Sequence, residues 1–302
     1  MASPATISEA SISTLLRCAR LWRYRYVDRL EPVVSAPALL MGRAFAHGLE
    51  KADPNAASDQ IREDAEAARK RALGDAWARP CNPDLIKVQA TTVEAAVAAY
   101  IQRFGTAEER EVEHRIAHGG HTLICRIDAI GGVDDGDGYI VEDKFVARQI
   151  PPREVEILRQ LTIESYVHWC STGKFAHIHY RQIRKPAIRQ RRDESVDGLC
   201  ERIRVEYQRE DFITEAITRR TSEDHSELIA ELSCWRRQMT AITEAPRNGT
   251  RNTDACLRYG QCEFLPLCLG EPGAKHQFCK RENRKATNEP TNKTTITSVP
   301  KN

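Results

Sequence analysis

The chain has 302 residues, of which 41% are hydrophobic and 29% are charged, a composition that is ordinary for a globular protein. This composition excludes collagen-like, coiled-coil and wholly disordered chains, and no apolar run approaches the roughly 18 residues that a membrane-spanning helix requires. The net charge of +2, from 45 Lys and Arg against 43 Asp and Glu, excludes a polycation, so any nucleic-acid binding must come from local clusters of positive charge.

The first residues and the cysteine content both bear on the cellular compartment. The sequence MASPATISEASIS at the start lacks the apolar segment of a signal peptide, so we expect a cytoplasmic protein. Ten cysteines are many for a reducing compartment, in which disulfides are rare. Metal binding is therefore the first role to consider for these thiols.

The N-terminal third of the chain has the apolar spacing of helices. Apolar residues at intervals of three and four predict helices over residues 8–26, 37–51, 56–77 and 84–104. The last two are separated by the sequence RPCNP at residues 79–83, because its prolines interrupt a helix.

The middle of the chain changes to the pattern of strands. Alternating apolar residues predict strands over residues 111–118, 121–130, 139–146 and 175–183, with a helix over 153–169 before the last of them. The turn-forming sequence GGVDDGDG predicts that the second and third strands form a hairpin. The polar sequence over residues 193–245 then predicts two long helices.

The C-terminal part has little regular pattern. The sequence PRNGTRNT at residues 246–253 predicts irregular structure, and cysteines are concentrated between residues 256 and 279. Residues 281–302 are rich in Asn, Thr, Lys and Pro and contain few core-forming side chains, so we expect a disordered tail there.

The predicted hairpin combines apolar and charged residues in a way that indicates a metal site. Strand alternation allows a register in which Asp128 lies beside Glu142, with Lys144 one step along the same face. Charged residues on a strand often only face solvent, but Ile127 and Ile140 beside them indicate a buried hairpin, where unpaired charges are costly. Two adjacent carboxylates repel each other unless a divalent cation lies between them, and a nearby lysine can orient a water for attack.

Four short motifs contain or accompany these charges. The sequences CRIDAI (125–130) and YIVEDK (139–144) contain the hairpin carboxylates, MGRAFAH ends on His47, and RQLTI contains Gln160. In this combination they resemble the PD-(D/E)XK nucleases of RecB type.

The resemblance implies a fold and a set of site residues. The fold is a restriction-endonuclease-like α/β core, a small mixed sheet flanked by helices. The implied ligands of a Mg²⁺ or Mn²⁺ ion are His47, Asp128, Glu142 and the carbonyl group of Asp143. Lys144 would position the attacking water, and Gln160 would support the site.

Two positions depart from the pattern of the family. Cys125 stands where the family usually has glycine, and Glu164 stands where it has tyrosine, four residues after Gln160. Tyr166 is a candidate substitute for that tyrosine. These departures affect the role of Gln160 more than the metal ligands.

The cysteines at the two ends of the folded region form a second pattern. Five residues separate Cys256 from Cys262 and Cys262 from Cys268, and Cys18 lies in the first predicted helix. One early and three late cysteines resemble the iron–sulfur branch of the same nucleases, which includes AddB and the CRISPR-associated and viral RecB-like exonucleases. The resemblance implies one [4Fe–4S] cluster on these four residues, with Zn²⁺ as the competing metal and Cys279 as a rival ligand.

Two basic stretches are candidate contacts to DNA. Arginines alternate with aromatic residues over residues 17–29, and six Arg and Lys residues occur over 181–192. Both stretches are compatible with phosphate binding, and the aromatic side chains with base stacking. For Trp22 and Tyr26 the apolar spacing favours packing into the core instead, and for 181–192 a solvated surface is the equal alternative.

The resemblance covers about residues 8–270 and implies the function. It predicts a metal-dependent DNA exonuclease that hydrolyses single strands or frayed ends in recombination, repair or CRISPR adaptation. We expect one nuclease domain over residues 1–280, an iron–sulfur subdomain from about 8–30 and 246–280, and the tail over 281–302. The alternatives are a non-catalytic DNA-binding or scaffold subunit with this fold, and a zinc-stabilised binding protein.

Overall fold

The protein is an α/β structure with one large sheet and helices on both of its faces. The computed structural model describes residues 6–32, 37–72, 82–106, 109–132, 138–244, 249–258, 261–280 and 293–296. The α-helices are α1 (Glu9–Arg17), α2 (Ala19–Trp22), α3 (Pro37–Lys51), α4 (Pro54–Ala72), α5 (Pro83–Phe104), α6 (Pro152–Val155), α7 (Arg159–Thr172), α8 (Val196–Glu206), α9 (Ser222–Glu244) and α10 (Leu265–Leu269). The strands are β1 (Thr6–Ser8), β2 (Leu30–Pro32), β3 (Glu109–His118), β4 (His121–Gly131), β5 (Tyr139–Val146), β6 (His177–Arg184), β7 (Ile213–Arg219), β8 (Phe278–Lys280) and β9 (Lys293–Ile296).

The large sheet is mixed, as predicted. Its strands lie in the order β7-β6-β5-β4-β3-β9, and β1 pairs with β4 beside this path. The β5–β6, β3–β9 and β1–β4 pairs are parallel, whereas β3–β4, β4–β5 and β6–β7 are antiparallel. The predicted hairpin between β4 and β5 is therefore present, although residues 133–137 of its turn lie outside the described residues.

Two clusters of buried apolar residues lie on the two faces of this sheet. Ile140 and Ile178 belong to the cluster that packs under α1, α7 and α9. Ile183, which alternation places on the opposite face of β6 from Ile178, belongs to the cluster with residues of α3, α4, α5 and α8. Within the described chain, no helix combines the length and the apolar character that crossing a membrane would require.

The first predicted helix is interrupted at Cys18. Residues 9–17 and 19–22 are separate α-helices, because Cys18 has extended backbone angles (φ −166°, ψ 120°), and a π-helix follows over Arg23–Val27. The break turns the chain so that Trp22 is 1% exposed and its indole nitrogen donates to the Ser11 hydroxyl. The predicted packing of Trp22 into the core is confirmed.

The region predicted as two long helices contains a strand as well. Between α8 and α9 the chain forms β7, which pairs antiparallel with β6. The segment ITEAITR is rich in β-branched residues, which favour strands, and the edge of β6 provides hydrogen-bond partners for its backbone. The prediction of continuous helices over 193–245 is therefore wrong at residues 213–219.

Two strands near the C-terminus pair with earlier parts of the chain. β2 and β8 form a small antiparallel sheet in which Glu31 pairs with Cys279. β9 extends the large sheet beside β3, so the structure differs from the predicted disorder at residues 293–296, where the β-branched sequence KTTI fits an edge strand. Residues 281–292 and 297–302 lie outside the described residues.

Candidate active site

The candidate site lies where β4 changes its neighbour. The first half of β4 pairs with β1 up to Ile124, and its second half pairs with β5 from Ala129 onward. On the edge of β4 that faces β1 and β5, the residues between Ile124 and Ala129 pair with neither of these strands. Asp128 occupies the end of this opening, immediately before the β5 ladder begins.

The pairing of β3 with β4 is irregular at Asp128. Ile127 and Ile130 are three residues apart, yet both belong to the core cluster that contains Ile140, so strict alternation is broken between them. On β3, Glu111 lies opposite Asp128, because the residues on either side of Glu111 pair with those on either side of Asp128. Glu111 has a φ of 55°, a left-handed conformation that is rare for glutamate. Such irregularities re-aim side chains next to functional sites.

Glu142 is the most deeply buried charged residue of the predicted set. It is 1% exposed, and its Oε1 accepts a hydrogen bond of 2.5 Å from Gln160 Nε2 and forms an ion pair with Lys144. Its Oε2 is buried and has no hydrogen-bond partner in the described structure. The structure therefore brings Glu142, Lys144 and Gln160 together.

Asp128 joins this cluster through the backbone of β5. Its Oδ2 accepts a hydrogen bond of 2.8 Å from the backbone nitrogen of Asp143. Burial, together with the negative charge of Glu142, raises the pKa of Asp128 to about 7 against the opposing charge of Lys144. The carboxylate of Glu142 is thus close enough to disfavour the charged form of Asp128.

Lys144 remains charged in this setting. Burial by itself lowers the pKa of Lys144, but the carboxylates of Glu142 and Asp128 outweigh it and raise the pKa above its usual value. Its side chain is 33% exposed, and its ammonium group forms the ion pair with the buried Glu142.

The side chain of Asp143 points to the opposite face of the sheet. There its Oδ2 accepts hydrogen bonds from Arg110 Nη1 at 2.9 Å and from the Tyr100 hydroxyl at 3.1 Å. Burial raises the pKa of Asp143 to about 6, although the charge of Arg110 opposes this shift. The Asp143 side chain is held away from the Asp128–Glu142 pair, which leaves only its backbone available to that side.

His47 lies on α3, where its Nδ1 is 3.7 Å from Glu50 Oε2 and its side chain is 34% exposed. Among the described residues, His47 forms no hydrogen bond or ion pair with Asp128 or Glu142. The place of His47 in the implied ligand set therefore stays a prediction.

Glu164 is a member of the cluster to which the sequence assigned no role. It is 1% exposed, and its Oε1 accepts a hydrogen bond of 2.8 Å from Gln160 Nε2. Burial and the neighbouring Glu142 raise the pKa of Glu164 well above its usual range. The only signal in the sequence was its position four residues after Gln160, one helical turn along the same face.

The Asp128–Glu142 pair fits a divalent cation. No group of three or more His, Cys, Asp or Glu side chains is arranged to hold a metal ion among the described residues. Mg²⁺, however, is commonly held by one or two carboxylates with waters completing its shell. The unpartnered Oε2 of Glu142 and the adjacent Asp128 provide such a pair.

The cysteines form a second candidate site at the break between α1 and α2. An open cavity of about 290 Å³ is lined by all four cysteines of the implied cluster. These are Cys18, Cys256, Cys262 and Cys268. Each of them is a free thiol, and Cys279 is not among the residues that line the cavity.

Backbone contacts hold the C-terminal segment against this break. Thr250 O accepts a hydrogen bond of 3.3 Å from Arg20 N, and Asn252 Nδ2 donates to Arg17 O at 2.9 Å. A Cβ atom on Gly249 would lie 2.2 Å from the carbonyl carbon of Ala19, so this approach requires glycine.

An aromatic stack adds apolar contact between the two ends of the chain. Phe264 is fully buried and stacks on Tyr24 and Phe278 at centroid distances of 5.5 and 4.9 Å. The C-terminal segment thus has an apolar anchor beside the cysteine cavity, which its loop-like sequence did not indicate.

Two solved structures are similar to this chain in outline. A proposed exonuclease from Eubacterium rectale aligns with a TM-score of 0.49 and 9% identity, covering 89% of this chain and 88% of its own. The protein SSO0001 aligns with a TM-score of 0.36 and 14% identity, covering 90% of this chain and 89% of its own. No protein of curated function matches the sequence.

A family model accounts for most of the chain. Residues 6–269 match the model of the PD-(D/E)XK nuclease superfamily. The matched range runs from β1 to α10 and includes Asp128, Glu142 and Lys144. Divalent metals such as Mg²⁺ or Mn²⁺ and a DNA substrate are general features of this family. The chain belongs to the PD-(D/E)XK nuclease superfamily.

Proposed function

We propose that the protein is a metal-dependent exonuclease that hydrolyses single-stranded DNA or frayed ends. One observation carries this proposal, namely the buried cluster of Asp128, Glu142 and Lys144 at the opening between β1 and β5. An ion-paired lysine beside two crowded carboxylates has the groups needed for phosphodiester hydrolysis. A purely structural salt bridge would need only one of the two carboxylates.

In this proposal, each residue of the cluster has a defined task. Asp128, Glu142 and the carbonyl of Asp143 hold the divalent cation, and His47 is proposed to complete the set from α3. When bound, the cation lowers the pKa of a water and stabilises negative charge on the phosphate. Lys144 orients the attacking water. These roles agree with the geometry of the carboxylates and the ammonium group, whereas the part of His47 rests on the resemblance alone.

Gln160 supports the cluster from the first turn of α7. Its amide nitrogen donates to Glu142 Oε1 and to Glu164 Oε1, so it fixes the orientation of both carboxylates. Because α7 packs against the sheet through buried residues such as Leu161 and Ile163, this amide is held on a rigid element.

Single-stranded or frayed DNA is the substrate that we favour. Three arginines of the second basic stretch, Arg189, Arg191 and Arg192, are exposed and available to phosphates. Arg181, by contrast, is 6% exposed and donates to Tyr100 and Glu215, so it belongs to the interior. Recombination, repair or CRISPR adaptation is the process that we propose, by analogy with the nucleases that the sequence resembles.

The experiment that tests this function is a cleavage assay on the anaerobically purified protein. Linear strands labelled at the 5′ or the 3′ end, circular single strands and duplexes with frayed ends are each incubated with Mg²⁺, Mn²⁺ or a chelator. We expect metal-dependent release of nucleotides from linear ends and no cleavage of circles. Binding of DNA without cleavage in any metal would instead identify the non-catalytic subunit.

Lys144→Ala should separate the water-positioning role from metal binding. We expect cleavage to slow by about a hundredfold or more, because the water loses its orienting cation, while affinity for Mn²⁺ is retained. The measurements are single-turnover cleavage and a Mn²⁺ titration. Lys87→Ala, at an exposed lysine that pairs with Asp197, is the matched control. The role of Lys144 is wrong if its variant loses Mn²⁺ affinity as severely as Glu142→Ala.

We also propose that the cysteine cavity holds a [4Fe–4S] cluster. The shared cavity of Cys18, Cys256, Cys262 and Cys268 supports this ligand set, and thiolates are the usual ligands of such clusters. The cluster would clamp residues 246–280 onto residues 8–30 and complete one nuclease domain over residues 1–280. Iron and sulfide contents distinguish this cluster from Zn²⁺, which also accepts four cysteines.

A further inference from the structure

Arg220 is a buried arginine that directly follows the last residue of β7. It is 4% exposed, and all three nitrogens of its guanidinium group donate hydrogen bonds. Nη1 donates to the Thr218 hydroxyl at 2.9 Å. Burying a guanidinium group is costly even when such bonds replace water, and an apolar side chain often stabilises a buried position at least as well. Stability alone therefore does not account for an arginine here.

The other bonds of Arg220 reach both sides of Gln160. Nε donates to the Thr162 hydroxyl at 3.0 Å, and Nη2 donates to the carbonyl oxygens of Val155 at 3.3 Å and Leu158 at 3.4 Å. Leu158 and Thr162 stand two residues before and two residues after Gln160. One planar group with fixed donor directions thus holds the backbone before Gln160 and a side chain after it.

Gln160 lies in the part of α7 that its own hydrogen bonds constrain least. It is the second residue of the helix, and the N-cap residue Leu158 has no polar side chain with which to cap it. The first backbone N–H groups of a helix lack partners inside the helix, so helix ends fray. A contact from outside α7 therefore restrains this turn and, with it, the amide that donates to Glu142 at 2.5 Å and to Glu164 at 2.8 Å.

An ion pair is a weaker account of Arg220. Its Nη1 lies 3.6 Å from Glu156 Oε2, but the side chain of Glu156 is 57% exposed and also accepts a hydrogen bond of 2.7 Å from Thr218. An ion pair with such an exposed partner contributes little to stability. The contacts that hold the guanidinium group are thus mainly those to neutral oxygens, most of them in the segment that contains the first turn of α7.

We propose that Arg220 is a positioning residue of the candidate active site, which holds the first turn of α7 so that Gln160 orients the Glu142 carboxylate. This inference rests on the proposed function of the Asp128–Glu142 pair. The hydrogen bonds of Arg220 in the described structure go to the turn and to Thr218, so its effect reaches the pair through Gln160. That effect must disappear when the Gln160 amide is removed.

A double-mutant cycle between Arg220→Met and Gln160→Ala tests this role. Methionine keeps much of the length of arginine but has no donors. The probe is Mn²⁺ alone, titrated into the full chain without DNA and followed by the electron paramagnetic resonance of free Mn²⁺. Single-turnover cleavage of a labelled strand is measured on the same preparations. We expect Arg220→Met to weaken Mn²⁺ binding and to slow cleavage by about tenfold, but by less than about twofold once Gln160→Ala is present.

A purely structural role of Arg220 predicts a different pattern. Thermal unfolding of each variant is followed by circular dichroism, and binding and cleavage are measured where all variants are folded. The proposal fails if Arg220→Met only lowers the unfolding temperature, or if its effect on Mn²⁺ binding is the same in both backgrounds. Arg219→Met, at the exposed neighbouring arginine, is the matched control and should change binding and cleavage by less than about twofold.

Arg220→Lys enters the same cycle, so the test does not depend on the folding of Arg220→Met. Lysine keeps the charge, but its single ammonium group does not reproduce the planar fork that reaches both sides of Gln160. We expect Mn²⁺ binding and cleavage to be weakened in this variant as well, again only when Gln160 is present. Wild-type values in Arg220→Lys would show that charge alone is sufficient and would overturn the proposed clamp.

The two measurements separate this proposal from the proposed function. If the wild type binds Mn²⁺ but cleaves no strand, the proposed function fails, and the cycle on Mn²⁺ affinity still decides the role of Arg220. If Gln160→Ala weakens binding and cleavage but Arg220→Met does not, only the role of Arg220 is wrong. If the wild type neither binds Mn²⁺ nor cleaves, both proposals fail.

Discussion

Glu142→Ala and Asp128→Ala are each expected to reduce cleavage by about a thousandfold or more. Both substitutions remove a carboxylate from the pair that fits the divalent cation, and the cation contributes several kcal/mol of charge stabilisation and water activation. The fold should survive, because neither Glu142 nor Asp128 is a member of the two apolar clusters that pack the helices against the sheet. Circular dichroism and single-turnover cleavage on the same preparations measure the two effects. Wild-type cleavage by either variant would contradict the assignment.

The pH dependence of stability provides an independent check on Asp128. Because the pKa of Asp128 is raised to about 7, the folded metal-free protein binds a proton more tightly than the unfolded chain. The contribution of Asp128 to the free energy of unfolding therefore decreases as the pH rises from about 4 to about 7. Subtracting the Asp128→Ala denaturation series from the wild-type series should show this slope, and its absence would mean that burial and the charge of Glu142 do not raise the pKa of Asp128.

If the cysteine cavity holds the proposed cluster, Cys262→Ala is expected to lower the iron content of the protein and to loosen its C-terminal segment. In a segment with little regular structure, metal-binding free energy is also folding free energy. Residues 249–252 and Phe264 keep backbone and aromatic contacts to the first helices, so the large sheet should remain folded. Iron per chain, visible absorbance and proteolysis of residues 253–280 measure the result. Loss of activity should follow the loss of structure rather than a change at Asp128.

Cys125→Ala and Cys279→Ala are the matched controls for this prediction. Cys125 is buried in the core cluster on β4, and Cys279 lies in β8 with its sulfur 3.7 Å from the Glu31 carbonyl oxygen. Neither lines the cavity, so both variants should keep full iron, and Cys125→Ala should cost only about 1 kcal/mol of packing. Retention of iron by Cys262→Ala together with its loss from Cys279→Ala would show that the ligand set is wrong.

Local sequence determined most of the secondary structure and the content of the candidate site. The alternation of apolar residues specified β4 and β5, the turn-forming residues between them specified their hairpin, and the charged residues on it identified Asp128, Glu142 and Lys144 as candidates. These features depend on residues that are close in the sequence. The spacing of apolar residues, every second position in a strand and every third or fourth in a helix, is therefore sufficient to recognise them. The resemblance of the cysteine pattern to the iron–sulfur nucleases likewise pointed to four residues, and these line one cavity.

Features that depend on distant partners were decided only by the tertiary structure. β7 is short and lies between helices. Its backbone N–H and C=O groups have their hydrogen-bond partners on β6, which a reading of the β7 residues alone does not reveal. The left-handed conformation of Glu111, which lies opposite Asp128 in the β3–β4 ladder, has no signal in the residues around it.

The surroundings of the candidate site were decided in the same way. Glu164 on a helix would be expected to face solvent, but the packing of α7 against the sheet buries it beside Glu142. The sequence by itself thus determined which elements and which reactive side chains this protein has. The tertiary structure decided which of them share a buried environment, because burial and the repulsion between Glu142 and Glu164 arise only when α7 and β5 come together.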